Sequence, residues 1–177
     1  VESKGKVGAF TTTLNTPSGN QEVHHGIIII ATGGKEDRPA DYLYGKHSRV
    51  LSLLEIEERI AKGDKLLQNS KNVVFIQCVG SRDVTNNHGY CSSVCCMYAL
   101  KEAIVTQKRN IQGSIFFMDL RAYGKKGEQY LTKAKEAGVR FIRSRVHAIL
   151  ESPENGNVIV RYASPEGGLK EEEFDLA

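Results

Sequence analysis

Residues 72–142 alternate short apolar runs with longer segments of helical pattern, and this alternation constrains the fold more than any other feature. The apolar runs are VVFI at 73–76, SIFFM at 114–118 and VRFI at 139–142, with helices expected over about 92–109 and 126–137. Strands that alternate with helices of this length form parallel sheets with right-handed crossovers. The sequence therefore predicts an α/β fold built on a Rossmann-like parallel sheet.

Antiparallel strands are predicted on both sides of this core. Residues 7–14 and 22–31 enclose the turn-forming segment PSGN and predict an N-terminal β-hairpin. The stretch Gly26–Ala31 is apolar on both faces, as in a central strand that is covered on both sides. A C-terminal β-meander is predicted from three further runs, at residues 146–150, 157–162 and 171–174.

A helix is predicted immediately before the parallel core. Ser52 and Glu55 have the spacing of a capping box, and the apolar positions that follow have a helical period until Gly63. We expect this helix over about residues 52–62. Residues 35–50 show no clear period and are expected to form an irregular connection.

All four cysteines of the chain lie between residues 78 and 96, where a dinucleotide-binding fold would place its glycine-rich turn. Cys78 follows the first parallel strand, and Cys91, Cys95 and Cys96 lie at the start of the next predicted helix. If that helix has begun by Cys91, three thiolates could converge with Cys78. A helix N-terminus favours thiolates, and this spacing favours a [4Fe–4S] cluster.

Other interpretations of the cysteines and their surroundings remain open. Four cysteines could instead hold zinc in an interaction domain, serve as a redox thiol pair in a pyridine-nucleotide-binding domain, or simply be buried. His88 could be a ligand, a proton relay or a solvent-facing loop residue. Residues 121–145 contain eight Lys or Arg against two Glu, which indicates a basic face, and Arg121–Gly124 could contact a nucleotide phosphate.

Composition excludes several classes of protein. A net charge of +3 with 25% charged residues does not indicate nucleic acid binding or a disordered tail. No apolar run approaches the roughly 18 residues that a membrane span requires. Cysteines clustered in this way are typical of metal or redox chemistry in a reducing compartment, and we expect a cytoplasmic protein.

Several segments resemble the family of heterodisulfide reductase A subunits and the related quinone-interacting oxidoreductase A subunits. The segments in the core are NVVFIQCVGSRD, YCSSVCCMYALKEA and FFMDLRAYGKKGEQYLTKAKEAGVRFIRSRV. Upstream, the segments are HHGIIIIATGG, EDRPADYLYG and VLSLLEIEERIAKG. The resemblance covers most of the chain.

This resemblance implies a thioredoxin-reductase-like flavoprotein that passes electrons between FAD, [4Fe–4S] clusters and partner subunits. It implies Cys78, Cys91, Cys95 and Cys96 as cluster ligands. It also implies that residues 1–50 come from a flavin-binding half and residues 51–177 form an NAD(P)-domain-like Rossmann unit. The segment Ala31, Thr32 and Gly33 resembles the one that approaches the flavin in related oxidoreductases.

The chain lacks the flavin fingerprint and the ferredoxin-type cysteine runs of this family. We therefore expect a fragment of an oxidoreductase subunit that is inactive in isolation. The expected partners are other subunits of a redox complex, a membrane-associated complex among them, and no nucleic acid.

Overall fold

The computed structural model describes all 177 residues, which form two compact units, Val1–Glu36 and Asp37–Ala177. The first unit is an antiparallel sheet of three strands in the order β1-β2-β3. Its strands are β1 (Glu2–Lys6), β2 (Ala9–Thr16) and β3 (Gly19–His25). The division into residues 1–50 and 51–177 stays a prediction.

The predicted hairpin is confirmed, but its second arm is shorter than expected. Strands β2 and β3 are antiparallel, with Thr16 opposite Gly19 across the turn. The prediction of a buried strand over Gly26–Ala31 is wrong, because β3 ends at His25 and Ile27–Ile30 are 49–83% exposed. No strand pairs with residues 26–31, so the apolar run lacks the neighbours that bury a central strand.

The second unit contains the predicted parallel core. Strands β4 (Asn72–Ile76), β5 (Gln112–Phe117) and β6 (Arg140–Arg143) form a parallel sheet in that order. Helix α3 (Cys95–Gln107) connects β4 to β5, and α4 (Gly127–Glu136) connects β5 to β6. This arrangement confirms the α/β fold class.

Two helices precede the parallel sheet. Helix α1 (Leu53–Lys62) has the complete predicted capping box between Ser52 and Glu55, and Gly63 ends it in the left-handed conformation with φ 66°. Helix α2 (Lys65–Asn69) is short and was not predicted; the Asp64 side chain caps it by accepting the Leu66 N–H. Residues 41–43 form a single 3₁₀ turn.

The predicted C-terminal meander is also confirmed. Its strands β7 (Val146–Glu151), β8 (Val158–Ala163) and β9 (Leu169–Phe174) are antiparallel neighbours. After β9 the chain returns to the parallel sheet, where the Val74 N–H donates to the Leu176 carbonyl at 2.9 Å. No helix in the structure has the length and apolar character needed to cross a membrane.

The parallel sheet divides the core of the second unit into two layers. On one face, Val73, Phe75 and Ile115 pack with α1, α3 and α4. On the other face, Val74 and Phe116 pack with the meander. Successive side chains of β4 therefore pack in opposite layers, as strand geometry requires.

Candidate metal centre

The cysteines lie at the edge of the parallel sheet where the strands end. Cys78 follows β4, Asp119 follows β5 and Arg143 ends β6. In open α/β sheets, this carboxyl edge is where ligands usually bind. The three strand ends therefore bring side chains that are far apart in sequence to one place.

The loop from Gln77 to Val94 has an unusual backbone. Four of its non-glycine residues have positive φ: Cys78 (64°), Arg82 (54°), Asn87 (59°) and Ser93 (64°). Such conformations cost of order 1 kcal/mol or more each and cluster at functional sites. The loop is therefore held in a specific shape by its surroundings.

Backbone hydrogen bonds fold the middle of this loop into a small hairpin. The N–H groups of Asp83 and His88 donate to each other's carbonyls at 2.8 and 2.7 Å, and the Arg82 N–H donates to the Tyr90 carbonyl at 2.8 Å. Gly80 has φ 72°, and a Cβ there would lie 2.5 Å from the Asp37 carboxylate. The hairpin brings the backbone of Arg82 next to that of Tyr90, the residue before Cys91.

Three of the four cysteines form a contiguous group. Hydrogen bonds from the thiols of Cys78 and Cys96 lower the pKa of Cys95, and hydrogen bonding to Cys95, together with burial, raises the pKa of both neighbours. Cys95 is the first residue of α3, where the helix N-terminus also favours a thiolate. Among the three sulfurs, Cys95 is therefore the one whose surroundings most favour the thiolate.

Cys91 does not lie in the helix, where the sequence predicts it. The predicted helix start near Cys91 is wrong, because the left-handed Ser93 interrupts the backbone and α3 begins only at Cys95. Cys91 therefore lies in the loop, and its sulfur accepts the Ser93 N–H at 3.4 Å. All four cysteines are free thiols, and no three Cys, His, Asp or Glu side chains have the arrangement required by a single metal ion.

A charged pair that was not predicted lies against the cysteine group. The Arg82 guanidinium donates from Nη2 to the Asp119 carboxylate at 2.9 Å. Arg121 and Arg143 lie 3.7 and 3.5 Å from the same carboxylate. Asp119 also contacts the cysteines through its backbone, since the Cys96 thiol donates to its carbonyl at 3.9 Å. The position of Asp119 directly after β5 was the available signal in the sequence.

The other candidate residues lie in simpler surroundings. His88 is exposed and uses Nδ1 to contact the Gly80 carbonyl at 3.1 Å, with its ring beside Tyr90. The Arg121–Gly124 segment contributes Arg121 to the group around Asp119. The predicted FAD segment, Ala31 to Gly33, is exposed in the first unit, and Gly33 has φ 65°.

A cleft of about 430 Å³ opens beside Cys78. Its walls include Tyr42, Arg145 and His147, and the Tyr42 hydroxyl donates to the Val146 carbonyl at 2.8 Å. Burial raises the pKa of the Tyr42 hydroxyl. The cleft gives the loop around Cys78 an open side.

Comparison with known proteins gives a consistent set of relatives, although no family model matches the chain. The second iron-sulfur A subunit of the CoB–CoM heterodisulfide reductase of Methanopyrus kandleri is 40% identical over 167 residues, which are 85% of this chain and 26% of that protein. The A subunit of the ferredoxin/F(420)H(2)-dependent CoB–CoM heterodisulfide reductase of Methanosarcina acetivorans is 38% identical over 170 residues, which are 88% of this chain and 21% of that protein.

A third relative is the A subunit of the H(2)/formate:CoB–CoM heterodisulfide,ferredoxin reductase of Methanococcus maripaludis, 39% identical over 151 residues, which are 77% of this chain and 23% of that protein. The similarity extends over most of the chain in each case. The chain spans only 21–26% of the length of these relatives. It therefore belongs to the family of heterodisulfide reductase A subunits, as a segment that corresponds to about a quarter of its relatives.

Proposed function

We propose that the chain holds a [4Fe–4S] cluster through Cys78, Cys91, Cys95 and Cys96, and relays electrons between FAD and partner redox centres. The observation that carries this proposal is the contact of Cys95 with both Cys78 and Cys96 at the start of α3. Relatives named as iron-sulfur subunits support it.

The residues around the cysteines fit an anionic iron–sulfur group. Thiolate sulfur is the usual ligand of such clusters, and three sulfurs are already adjacent. The buried Nη1 of Arg82 has no hydrogen-bond partner, so a donor is available beside them. Cys91 supplies a fourth thiol from the loop that immediately precedes α3.

The protein's own contribution is to position these ligands and control their surroundings. The bound cluster would supply one-electron chemistry. Cys96 is 4% exposed, so the group is shielded from water on the side of the helix. On its other side, the cleft beside Cys78 provides access to solvent or to a partner.

FAD and the partner subunits belong to the same proposal. Ala31, Thr32 and Gly33 are proposed FAD contacts, because small residues allow a close backbone approach and nothing lies within 4 Å of a Cβ built at Gly33. The relatives' names refer to subunits of reductases that use ferredoxin or hydrogen. By analogy we propose a redox complex in the cytoplasm, with the isolated chain inactive as an enzyme.

The test is anaerobic reconstitution of the chain with iron and sulfide, followed by absorption spectroscopy and analysis of iron, sulfide and zinc. We expect about four irons for each chain, in keeping with a [4Fe–4S] cube. The double variant C95S/C96S should lose this iron, and C91S should lose it or retain it only in part. Val94→Ala is the control, since Val94 is 56% exposed and lies between the proposed ligands.

Three outcomes would contradict all or part of the proposal. A colourless protein that binds one zinc would support a zinc-stabilised interaction domain instead. A protein that binds neither metal would leave a pyridine-nucleotide-binding domain of a disulfide oxidoreductase as the alternative. Full iron content in C91S alone would remove Cys91 from the ligand set.

A further inference from the structure

One nitrogen of the Arg82 guanidinium, Nη1, is buried without a hydrogen-bond partner. The other terminal nitrogen, Nη2, is bonded to Asp119. A guanidinium carries five N–H donors, and a buried donor on a charged group that stays unsatisfied carries its full desolvation penalty. A buried, unpaired donor of this kind indicates that a bound group accepts its hydrogen bond.

The side chain of Arg82 faces the cysteine group. Its pKa is raised most by the hydrogen bond to Asp119 and, to a smaller extent, by the negative charge of the Cys78 sulfur and a hydrogen bond to that sulfur. Cys78 is in turn in contact with Cys95. The Arg82 side chain is only 21% exposed, so its charge is screened less than that of a surface arginine.

The position of Arg82 is fixed from two sides. Its own backbone N–H donates to the Tyr90 carbonyl, which holds the left-handed backbone of Arg82 (φ 54°) in the loop hairpin. Asp119 holds the guanidinium through its carboxylate and contacts Cys96 through its carbonyl. Because the same residue touches Arg82 and Cys96, the guanidinium cannot move away from the cysteines without breaking a charged hydrogen bond.

We propose that Arg82 sets the reduction potential of the cluster, with its buried Nη1 donating to a sulfur of the group that the cysteines hold. This inference rests on the proposed function. A cluster becomes more negative when it gains an electron, and a nearby fixed cation stabilises that added charge. Hydrogen bonds to cluster sulfurs and net charge are recognised determinants of the potential. Arg82 therefore raises the potential.

The test compares Arg82→Gln with wild type in the reconstituted 177-residue chain. The reduction potential is measured by a titration followed by electron paramagnetic resonance, and iron content is measured on the same samples. We expect R82Q to keep its iron and to require a more negative potential. The ratio of oxidised to reduced cluster at a fixed potential should rise about tenfold, which is about 59 mV for a one-electron couple.

Two further variants make the interpretation specific. Arg82→Lys retains the charge but not the fork geometry, and we expect it to restore part of the shift. Arg143→Gln is the matched control, because Arg143 contacts the same carboxylate but its side chain is 74% exposed. Its removal should leave the potential unchanged within the error of the titration.

Each outcome decides one of the two proposals. If wild type takes up no iron, the proposed function fails. If wild type carries a cluster and R82Q carries the same cluster at an unchanged potential, only the role of Arg82 fails. If R82Q loses iron, R82K is compared with wild type instead. A reduction potential of R82K that is more negative than that of wild type, by less than about 59 mV, supports the role of Arg82. A potential equal to that of wild type contradicts it.

Discussion

Individual residues of the cysteine loop carry conformations that their amino acid type disfavours. Cys78 itself has φ 64°, and Arg82 and Ser93 are also left-handed. Glycine would adopt these angles without cost, whereas these side chains accept strain of order 1 kcal/mol or more. Two of these strained residues have identifiable roles: Cys78 belongs to the sulfur group, and Ser93 lies just before α3, which begins only at Cys95. Side-chain chemistry at these positions therefore outweighs backbone preference.

Glu102 is a buried carboxyl group outside the cysteine site, and it should make stability depend on pH. It is 2% exposed, and Oε1 has no hydrogen-bond partner although Lys101 lies 3.5 Å away. Burial raises its pKa, while Lys101 opposes and Glu57 reinforces this shift. The folded state thus retains the proton to higher pH than the unfolded state. The stabilisation is complete below the unfolded pKa and is lost as pH rises through the folded pKa.

We therefore predict that Glu102→Gln increases the free energy of unfolding at pH 8 more than at pH 4. The amide does not titrate, so the variant avoids the cost of burying a charge at high pH. Urea denaturation at both pH values, followed by circular dichroism, measures the difference. Glu58→Gln is the control, because Glu58 lies on the exposed side of α1 with 68% of its side chain accessible. The same change at both pH values would show that the carboxyl is not the cause.

At the scale of helices and strands, local signals were reliable where neighbours did not override them. Helix α1 was predicted because Ser52, Glu55 and Gly63 act within a few residues of one another. The run Gly26–Ala31 was mispredicted because its hydrophobicity says nothing about which strand lies beside it. The start of α3 was also mispredicted, since nothing in the sequence marks Ser93 as left-handed.

The cysteine site was also predictable only in part. The spacing of the cysteines indicates a shared site, and the structure brings Cys78, Cys95 and Cys96 together. The pairing of Arg82 with Asp119 could not be predicted, because it spans two connections and depends on β4 and β5 being adjacent. Long-range contacts of this kind follow from sheet order rather than from local pattern.

The connection into α4 depends on a glycine whose substitution should be destabilising. A Cβ at Gly127 would lie 2.1 Å from the Ala122 carbonyl oxygen, which is backbone and cannot simply move aside. Alanine favours a helix by about 1 kcal/mol over glycine. Overpacking costs about 1–3 kcal/mol, and such a short contact with backbone belongs at the upper end. We expect Gly127→Ala to lose about 1–2 kcal/mol of unfolding free energy.

The matched control is Gly89→Ala, where the added Cβ meets only the Val84 side chain at 3.5 Å. Both variants change glycine to alanine without a positive φ at the site. Urea denaturation should place G127A well below wild type and G89A close to it. Equal stability of the two variants would mean that the Ala122 carbonyl can relax after all.

At the scale of the second unit, the last four residues connect its two core layers. Phe174 packs in the layer with the meander, whereas Leu176 packs in the layer with the helices. Between them, the Asp175 carboxylate accepts the backbone N–H groups of Lys71 and Asn72 at 2.6 and 3.1 Å. Leu176 also lies parallel to Val73 beside β4. This short segment extends the parallel sheet on the side opposite β5.

Leu176→Ala should therefore destabilise the second unit as a whole. The side chain is fully buried, and removing a buried leucine to alanine typically costs about 2–5 kcal/mol, depending on how far the site relaxes. Leu169→Ala, at a position that is 69% exposed in β9, should change stability little. Circular dichroism and tyrosine fluorescence should report the same lowered midpoint for L176A if the layers unfold together. A loss confined to one probe would mean that the meander and the parallel sheet unfold separately.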